Sequence, residues 1–243
     1  MCYHVSLTST AAALAARFNA DPPEGTQVPT YHHVSGFAHP RLPVLTNDDP
    51  RQIQLFGWGL IPGWVKSEEQ AAEMARRTLN ARGETIFGKP SFRQAAARRR
   101  CLVLIDGFYE WMHRGGKKYP FFIQAGDGAP FAFGGLWEEW ADRDTGERHR
   151  TCSIITTDAN PLMAKIHNTK ERMPLVLDRT AEQQWLRSDL ERPDVEALIR
   201  PLGDDQLRAH TVSPLVSRQA REDTNVPEVW APYTYEVCPL PLS

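Results

Sequence analysis

Apolar stretches bounded by turn residues predict a long succession of strands in this chain. Alternating or continuous apolar residues indicate strands at 52–58, 101–105, 108–112, 119–124, 131–137, 152–156 and 175–177. Gly115-Gly116 predicts a hairpin turn between the third and fourth of these strands. The later half of the chain is therefore expected to be dominated by antiparallel sheet.

Helical stretches separate some of the strands. The sequence predicts helices at 11–18, 67–77, 91–98, 181–188 and 195–200, with Ser9 or Thr10, Ser67, Ser91 and Thr180 as capping residues. Strands in succession with helices between some of them are typical of an α+β protein with a curved, barrel-like sheet. No compositional break divides the chain, so we expect one domain over residues 1–243, with about 219–243 as a tail.

Composition narrows the class of protein. Of 243 residues, 41% are hydrophobic and 24% are charged, which is ordinary for a protein with a sizeable core. No apolar run approaches the ~20 residues that span a membrane, and no secretory signal is evident at the N-terminus. The four cysteines form no CxxC pair. We therefore expect a cytoplasmic protein with no membrane partner.

The net charge of −2 is unlike that of a protein that coats nucleic acid. Basic residues are nevertheless clustered, as in Arg98-Arg99-Arg100 and Lys117-Lys118. Two interpretations stay open: a basic groove on a neutral body, or the solvated faces of separate helices.

Cys2 is a candidate nucleophile if Met1 is removed, which a small second residue permits. Cys2 would then carry a thiol and a free α-amine on adjacent carbons, with ordinary pKa values of about 8.5 and about 7.7–8.0. A 1,2-aminothiol forms an imine with an aldehyde, and its sulfur then closes a thiazolidine ring. The alternative is that Cys2 is a small buried hydrophobic residue.

Two further segments carry candidate polar chemistry. Asn80 and Arg82 lie two residues apart, so in a strand both side chains share one face and can hold an oxygen-rich ligand. The alternative is an Asn turn and a surface Arg. Glu110 lies between Tyr109 and Trp111, where burial would raise its pKa toward neutrality and suit it to proton transfer. An outward-facing Glu on a hairpin strand is the competing interpretation.

Two other segments combine a reactive or aromatic residue with rigid neighbours. His167 follows a short predicted helix and precedes a Pro-marked strand, where it is either functional or structural. Trp58 and Trp64, with Pro62 between them, predict a rigid aromatic ledge that stacks unpaired bases. Core packing is the ordinary alternative for a tryptophan.

Several classes of site are disfavoured by the motifs. The sequence has no P-loop, no dinucleotide-binding GxGxxG and no GxSxG. A zinc site at Cys2, His4, His32 and His33 matches no common ligand spacing. We therefore expect neither a metal nor a cofactor.

In their order along the chain, these segments resemble the SRAP (SOS response-associated peptidase) family, whose members process abasic sites in single-stranded DNA. The resemblance rests on Met1-Cys2, Trp58-Gly-Leu-Ile-Pro-Gly-Trp64, Leu79-Asn-Ala-Arg-Gly-Glu84, Arg100-Cys-Leu-Val103, Asp106-Gly-Phe-Tyr-Glu-Trp111, Ile155-Thr-Thr157, Asn160-Pro-Leu-Met163, Ile166-His167 and Arg172-Met-Pro174. It implies the single-domain SRAP fold and a covalent protein–DNA crosslink.

The resemblance also implies roles for individual residues. Cys2 would be the covalent nucleophile, Asn80 would orient the N-terminus and the opened sugar, and Glu110 and His167 would transfer protons. DNA contacts would come from Arg82, Trp58, Pro62, Trp64, Arg172 and His4. A monomer acting on abasic single-stranded DNA, with a weak lyase side reaction, is expected.

Two departures and two rival functions accompany this interpretation. Tyr3 and His4 stand where many members have Gly and Arg, and the spacer between His167 and Arg172 is longer than in many members. The rivals are a thiol peptidase that acts beyond Met1 removal and a non-covalent reader of modified bases.

Overall fold

A closed barrel of five strands forms the centre of the computed structural model, which describes residues 2–23, 25–217 and 224–236. The strands are β1 (His4–Leu7), β2 (Tyr31–Ser35), β3 (Arg41–Thr46), β4 (Gln54–Trp58), β5 (Asn80–Arg82), β6 (Arg100–Ile105), β7 (Gly107–Arg114), β8 (Lys117–Ala125), β9 (Phe131–Ala141), β10 (Arg148–Asp158), β11 (Arg172–Pro174), β12 (Val176–Leu177) and β13 (Leu207–Thr211). The barrel runs β10-β4-β3-β6-β9 and closes because β9 also pairs with β10. Within it only β10 and β4 are parallel. The predicted α+β, mostly antiparallel barrel is therefore confirmed.

Helices surround the barrel and begin at capping side chains. They are α1 (Ala11–Phe18), α2 (Glu68–Arg77), α3 (Arg93–Arg98), α4 (Pro161–Ile166), α5 (Arg179–Trp185) and α6 (Arg192–Leu198). Thr10 and Ser67 cap α1 and α2 as predicted. Two predicted caps are wrong. Asp178 caps α5 instead of Thr180, because its carboxylate accepts from two backbone N–H groups, and Ser91 contacts the sulfur of Met74 instead of capping α3.

A second sheet, in the order β13-β8-β7-β1-β2, lies beside the barrel. Its central hairpin turns at Gly115 and Gly116, with φ angles of 57° and 74°. Consecutive left-handed residues match the twist of a tight hairpin, which explains why two glycines stand there. Strand β1 lies between β7 and β2, so this sheet brings Cys2, two residues before the start of β1, close to β7.

The segment expected to be a tail is in part packed against the second sheet. Val229 is fully buried, the backbone N–H of Tyr233 donates to Thr211 O, and Val212 pairs with Pro232. The prediction of a tail is therefore wrong for residues 224–236. Its other residues, 219–223 and 237–243, lie outside the described residues.

Within the described part of the chain, every helix is too short or too polar to cross a membrane.

Candidate active site

Cys2 is held at its backbone and buried at its side chain. The side-chain amide of Asn80 donates to Cys2 O over 2.9 Å, and the thiol lies 3.7 Å from His4 O. The Cys2 side chain is fully buried, which raises the pKa of its thiol well above the ordinary value. In this structure the sulfur is therefore a neutral thiol, and it needs a base before it can act as a nucleophile.

Strand β5 positions Asn80 beside Cys2. This strand pairs in parallel with β10, with Asn80 opposite Ile154, so the closed barrel fixes the side-chain amide. Among the described residues, Asn80 Oδ1 has no hydrogen-bond partner although it is buried. Asn80 therefore holds the Cys2 carbonyl with its nitrogen and keeps an acceptor available for an N–H group nearby.

Glu110 is a buried carboxylic acid on β7. It pairs with Phe121 of β8 in the strand register, and only 4% of the residue is exposed. Burial raises the pKa of Glu110 to about 7, so neutral and ionised forms coexist near neutral pH. The interpretation of an outward-facing Glu is therefore wrong, and the group is suited to both giving and accepting a proton.

His167 ends α4, a short helix that Asn160 caps and Pro161 begins. Its Nδ1 lies 2.9 Å from Arg172 O, the nearer of its two backbone contacts to Arg172. The carbonyl of Arg172 only accepts and its N–H only donates, so Nδ1 has a backbone partner in either tautomer of the ring, and the backbone of Arg172 orients the imidazole. Burial lowers the pKa of His167 to about 4, which makes the imidazole neutral at pH 7.

The long spacer after His167 is anchored to β7. Asn168 accepts from His113 N over 3.0 Å and donates to His113 O over 2.8 Å. Glu171 adopts a left-handed φ of 48°, and its N–H donates to His167 O. The spacer therefore forms an ordered loop that fixes the end of α4 against the strand of Glu110.

Glu110 and His167 line a cleft of about 900 Å³, whereas Cys2 and Asn80 are not among its lining residues. Its lining residues are Tyr3, His4, His33, Val34, Ser35, Glu110, Trp111, His113, Lys118, His167, Thr169, Lys170, Val216, Ser217 and Thr224. Two of these lining residues are lysines, Lys118 and Lys170, and among them only Glu110 carries a carboxyl group. A second cleft, of about 820 Å³ over β4 and the start of β10, contains none of the four predicted catalytic residues.

His4 forms part of a neutral pair and does not replace an arginine. Its Nδ1 lies 2.9 Å from His33 Nε2, the two rings are stacked, and His33 Nδ1 lies 2.7 Å from Thr224 Oγ1. Burial lowers the pKa of His4 to about 3 and that of His33 to about 4. His4 is therefore uncharged at neutral pH, and its predicted contact with DNA stays a prediction.

The predicted aromatic ledge is only partly exposed. Trp58 is 0% exposed and its indole N–H donates to Leu79 O, and Pro62 is also buried. Neither can stack on a base, so this part of the prediction is corrected to core packing. Trp64 is 46% exposed and remains available for contact.

The two predicted phosphate-binding arginines differ in their surroundings. Arg172 makes a bidentate pair with Glu84, and one of its nitrogens also reaches Asp158 over 2.9 Å. Its guanidinium therefore joins β11 to the turn after β5 and is not free for phosphate, which corrects its predicted role. Arg82 is exposed, on the same strand as Asn80, and its DNA contact stays a prediction.

Sequence reasoning missed the histidine pair and its anchor. The sequence presents His33 only at a disfavoured zinc site and places Thr224 in the predicted tail. The two residues are separated by 191 positions, and no local pattern marks such a contact. Among the described residues, no group of three or more His, Cys, Asp or Glu side chains is arranged to hold a metal ion.

Comparison with known proteins fits this geometry. A family model described as SOS response associated peptidase (SRAP) matches residues 1–219. The chain belongs to the SRAP family. Its relatives include the Abasic site processing protein YoqW of Bacillus subtilis (strain 168), 36% identical over 221 residues, which are 89% of this chain and 94% of that protein.

The SRAP relatives extend to vertebrates and to solved structures. Abasic site processing protein HMCES of Gallus gallus is 35% identical over 197 residues, covering 72% of this chain and 56% of that protein. An X-ray structure of a protein from Bacteroides thetaiotaomicron is 37% identical, with a TM-score of 0.88 over 96% of this chain and 100% of that one. The single-domain SRAP fold is thereby confirmed.

Proposed function

We propose that this protein captures abasic sites in single-stranded DNA by forming a thiazolidine between Cys2 and the ring-opened deoxyribose. The observation that carries the proposal is the hydrogen bond from Asn80 to the Cys2 carbonyl, beside the buried carboxyl of Glu110. It fixes the residue whose α-amine would be freed by removal of Met1. The names of the relatives, which process abasic sites, support the same substrate.

The first step joins the Cys2 amine to the sugar aldehyde. The nitrogen lone pair adds to the aldehyde carbon, and a proton moves from nitrogen to oxygen to give a carbinolamine. Loss of water then leaves an imine, and it needs an acid to protonate the departing hydroxyl. Glu110, whose pKa is about 7, is the proposed acid.

The second step closes the ring. The imine is still protonated on nitrogen when the Cys2 sulfur adds to its carbon, so one C–S bond forms and the thiol proton passes to a base and not to the nitrogen. Because the thiol is neutral, a base must take its proton, and the carboxylate that Glu110 left behind can do so. His167, neutral and oriented by the backbone of Arg172, is the proposed second proton acceptor. The net change is the loss of one water.

Ring closure protects the DNA strand. An open imine acidifies the neighbouring C–H bond and permits β-elimination, which cuts the strand. Capture by sulfur removes the imine, so we expect lyase activity to be a weak side reaction in the wild type.

The cleft favours a single strand as the partner. Its aromatic and basic groups, Trp111 with Lys118 and Lys170, suit unpaired bases and a phosphate backbone. A thiol peptidase that acts beyond Met1 is less well supported, because the Cys2 thiol contacts His4 O and not an imidazole.

The test is intact mass spectrometry and denaturing gels after incubation with an oligonucleotide carrying one abasic site. Wild type should lose Met1 and form a heat- and salt-stable adduct whose mass is the sum of the partners minus one water. Cys2→Ala keeps an α-amine after Met1 removal, so its adduct should survive only after reduction with borohydride.

A chain with an uncleavable N-terminal extension is the matched control and should give no adduct with or without borohydride. Equal adducts from all three chains, or none from wild type, would rule out the thiazolidine. A duplex oligonucleotide with the same abasic site tests strand preference, and equal rates would remove that part of the proposal.

A further inference from the structure

An aromatic pair, half-buried Tyr3 and exposed Phe37, lies next to the nucleophile and takes no part in the proposed chemistry. Phe37 is 58% exposed, the largest exposed fraction among the bulky apolar residues described. Its ring centroid lies 5.0 Å from that of Tyr3, with the planes tilted by 33°. Tyr3 follows Cys2 directly and lines the cleft, so the pair continues the cleft outward from the nucleophile.

The turn that carries Phe37 is built rigidly. Residues Gly36–Ala38 form a single 3₁₀ turn, which Ser35 caps by accepting from Phe37 N. Gly36 N donates to Tyr3 O over 2.7 Å, so the turn is tied to the residue that follows Cys2. A bulky apolar side chain held at the surface by such a turn is a feature that folding alone does not require.

Trp58 supports this turn from below. Three carbons of its buried ring lie 3.1 Å from the point where a Cβ of Gly36 would stand. The indole is itself fixed by its hydrogen bond to Leu79 O. Trp58, which the sequence predicts to stack on bases, instead positions the turn that holds Phe37 at the surface.

The chemistry of the site indicates which ligand the pair would take. An abasic nucleotide has no base, so stacking at the lesion must come from a nucleotide that flanks it. The cleft beside Tyr3 offers Lys118 and Lys170 to phosphates and only Glu110 as a carboxyl group. Single-stranded DNA supplies both groups: phosphates for the lysines, and a flat base for the aromatic pair. That base would belong to the nucleotide next to the abasic site at Cys2.

We propose that Tyr3 and Phe37 form a stacking surface for the nucleobase that flanks the abasic site. This inference rests on the proposed function and adds a positioning surface to it. It assigns a role to Tyr3, which stands where many SRAP members have glycine.

The test uses a probe that cannot crosslink. A single-stranded oligonucleotide with a tetrahydrofuran abasic analogue carries no aldehyde, and 2-aminopurine placed on one side or the other of the analogue reports stacking by its fluorescence. Wild type should change the 2-aminopurine signal on one side of the lesion only. Phe37→Ala should lose that change and bind roughly tenfold more weakly, within the range for one stacked base.

Matched controls separate stacking from general effects. Phe37→Trp should restore both signals, because a larger ring still stacks. Tyr233→Ala removes another exposed aromatic, 44% exposed and outside the cleft lining, and should behave as wild type. Unfolding temperatures of all variants show that the fold is retained.

Each outcome decides the inference. If Phe37→Ala and Tyr233→Ala bind alike and keep the wild-type fluorescence change, the stacking surface is refuted. Failure of wild type to bind the probe also refutes it. An oligonucleotide with an intact abasic aldehyde, assayed in parallel, separates the two proposals. If wild type gives the stacking signal but no covalent adduct, the crosslink is contradicted and the stacking surface is supported.

Discussion

At the scale of single residues, Glu110 sets how the proposed crosslinking depends on pH. The Cys2 amine must be neutral to attack, so the rate rises through its pKa of about 7.7–8.0. Glu110 must be protonated to release water, so the rate falls as pH rises through about 7. The two requirements together give a bell-shaped profile with its maximum near these values.

Replacement of Glu110 by glutamine should remove one side of this profile. Glu110→Gln keeps the size of the side chain but transfers no proton, so single-turnover crosslinking should slow by about 10²–10⁴-fold. The decline at high pH should vanish, while the rise at low pH, which belongs to the amine, should remain. Rates measured across about pH 5 to 9 check this. If the rate of Glu110→Gln still declines at high pH, another group is responsible for that decline. The control is that wild type and Glu110→Gln bind the tetrahydrofuran probe equally.

At the scale of elements, the end of α4 depends on one asparagine. Asn168 makes two hydrogen bonds to the backbone of His113 in β7 and so fixes the loop that orients His167. Asn168→Ala removes both and should lower the unfolding free energy by about 1 kcal/mol, a modest loss because the contacts are exposed.

The same substitution should slow crosslinking more than it weakens binding. The imidazole would lose its fixed orientation, whereas the lysines and aromatics of the cleft would stay. Single-turnover rates and probe affinity, measured on the same samples, separate the two effects. Asn168→Asp keeps the acceptor for His113 N and should fall between wild type and alanine. If both variants crosslink at the wild-type rate, the loop has no positioning role.

The elements themselves follow closely from the sequence, and the site does so in part. Apolar alternation and turn glycines predict the hairpin of β7 and β8 because that strand pairing is local. The role of Trp58 could not be predicted, because strands of a closed barrel are buried widely and alternation does not say which ring lies inside. The contact of His33 with Thr224 depends on the whole fold and leaves no local signal.

At the scale of the whole molecule, buried titratable groups predict how stability changes with pH. His4, His33 and His167 have folded pKa values of about 3, 4 and 4, below the ordinary 6.5. Between about pH 6.5 and 4 the unfolded chain therefore binds more protons than the folded chain. The free energy of unfolding decreases as the pH is lowered through this range. Glu110 and Glu182 have raised pKa values, so from about pH 4.5 upward the folded chain binds more protons at these two groups. Their contribution to the free energy of unfolding therefore decreases as the pH rises.

Because the three histidines outweigh the two glutamates, the free energy of unfolding increases with rising pH over this range. We expect the unfolding free energy to drop by about 1 kcal/mol per pH unit below about pH 6.5, with His167 contributing less because it is partly hydrated. Urea unfolding at several pH values measures this slope. His4→Gln removes one of the three histidines and should flatten it, while a slope that steepens in that variant contradicts the assignment.

The burial of Cys2 bears on how a reactive aminothiol persists among the electrophiles and oxidants of a living cell. A buried, protonated sulfur reacts slowly with alkylating agents and peroxides, which attack thiolates. By contrast, an aldehyde bound at the neighbouring amine lies where the sulfur can reach it and close a five-membered ring. Such intramolecular reactions have effective concentrations of about 10⁵–10⁸ M. In the proposed reaction, chemoselectivity would then arise from the order of events, amine first and sulfur second, and the sulfur would react only with a carbonyl that the protein already holds.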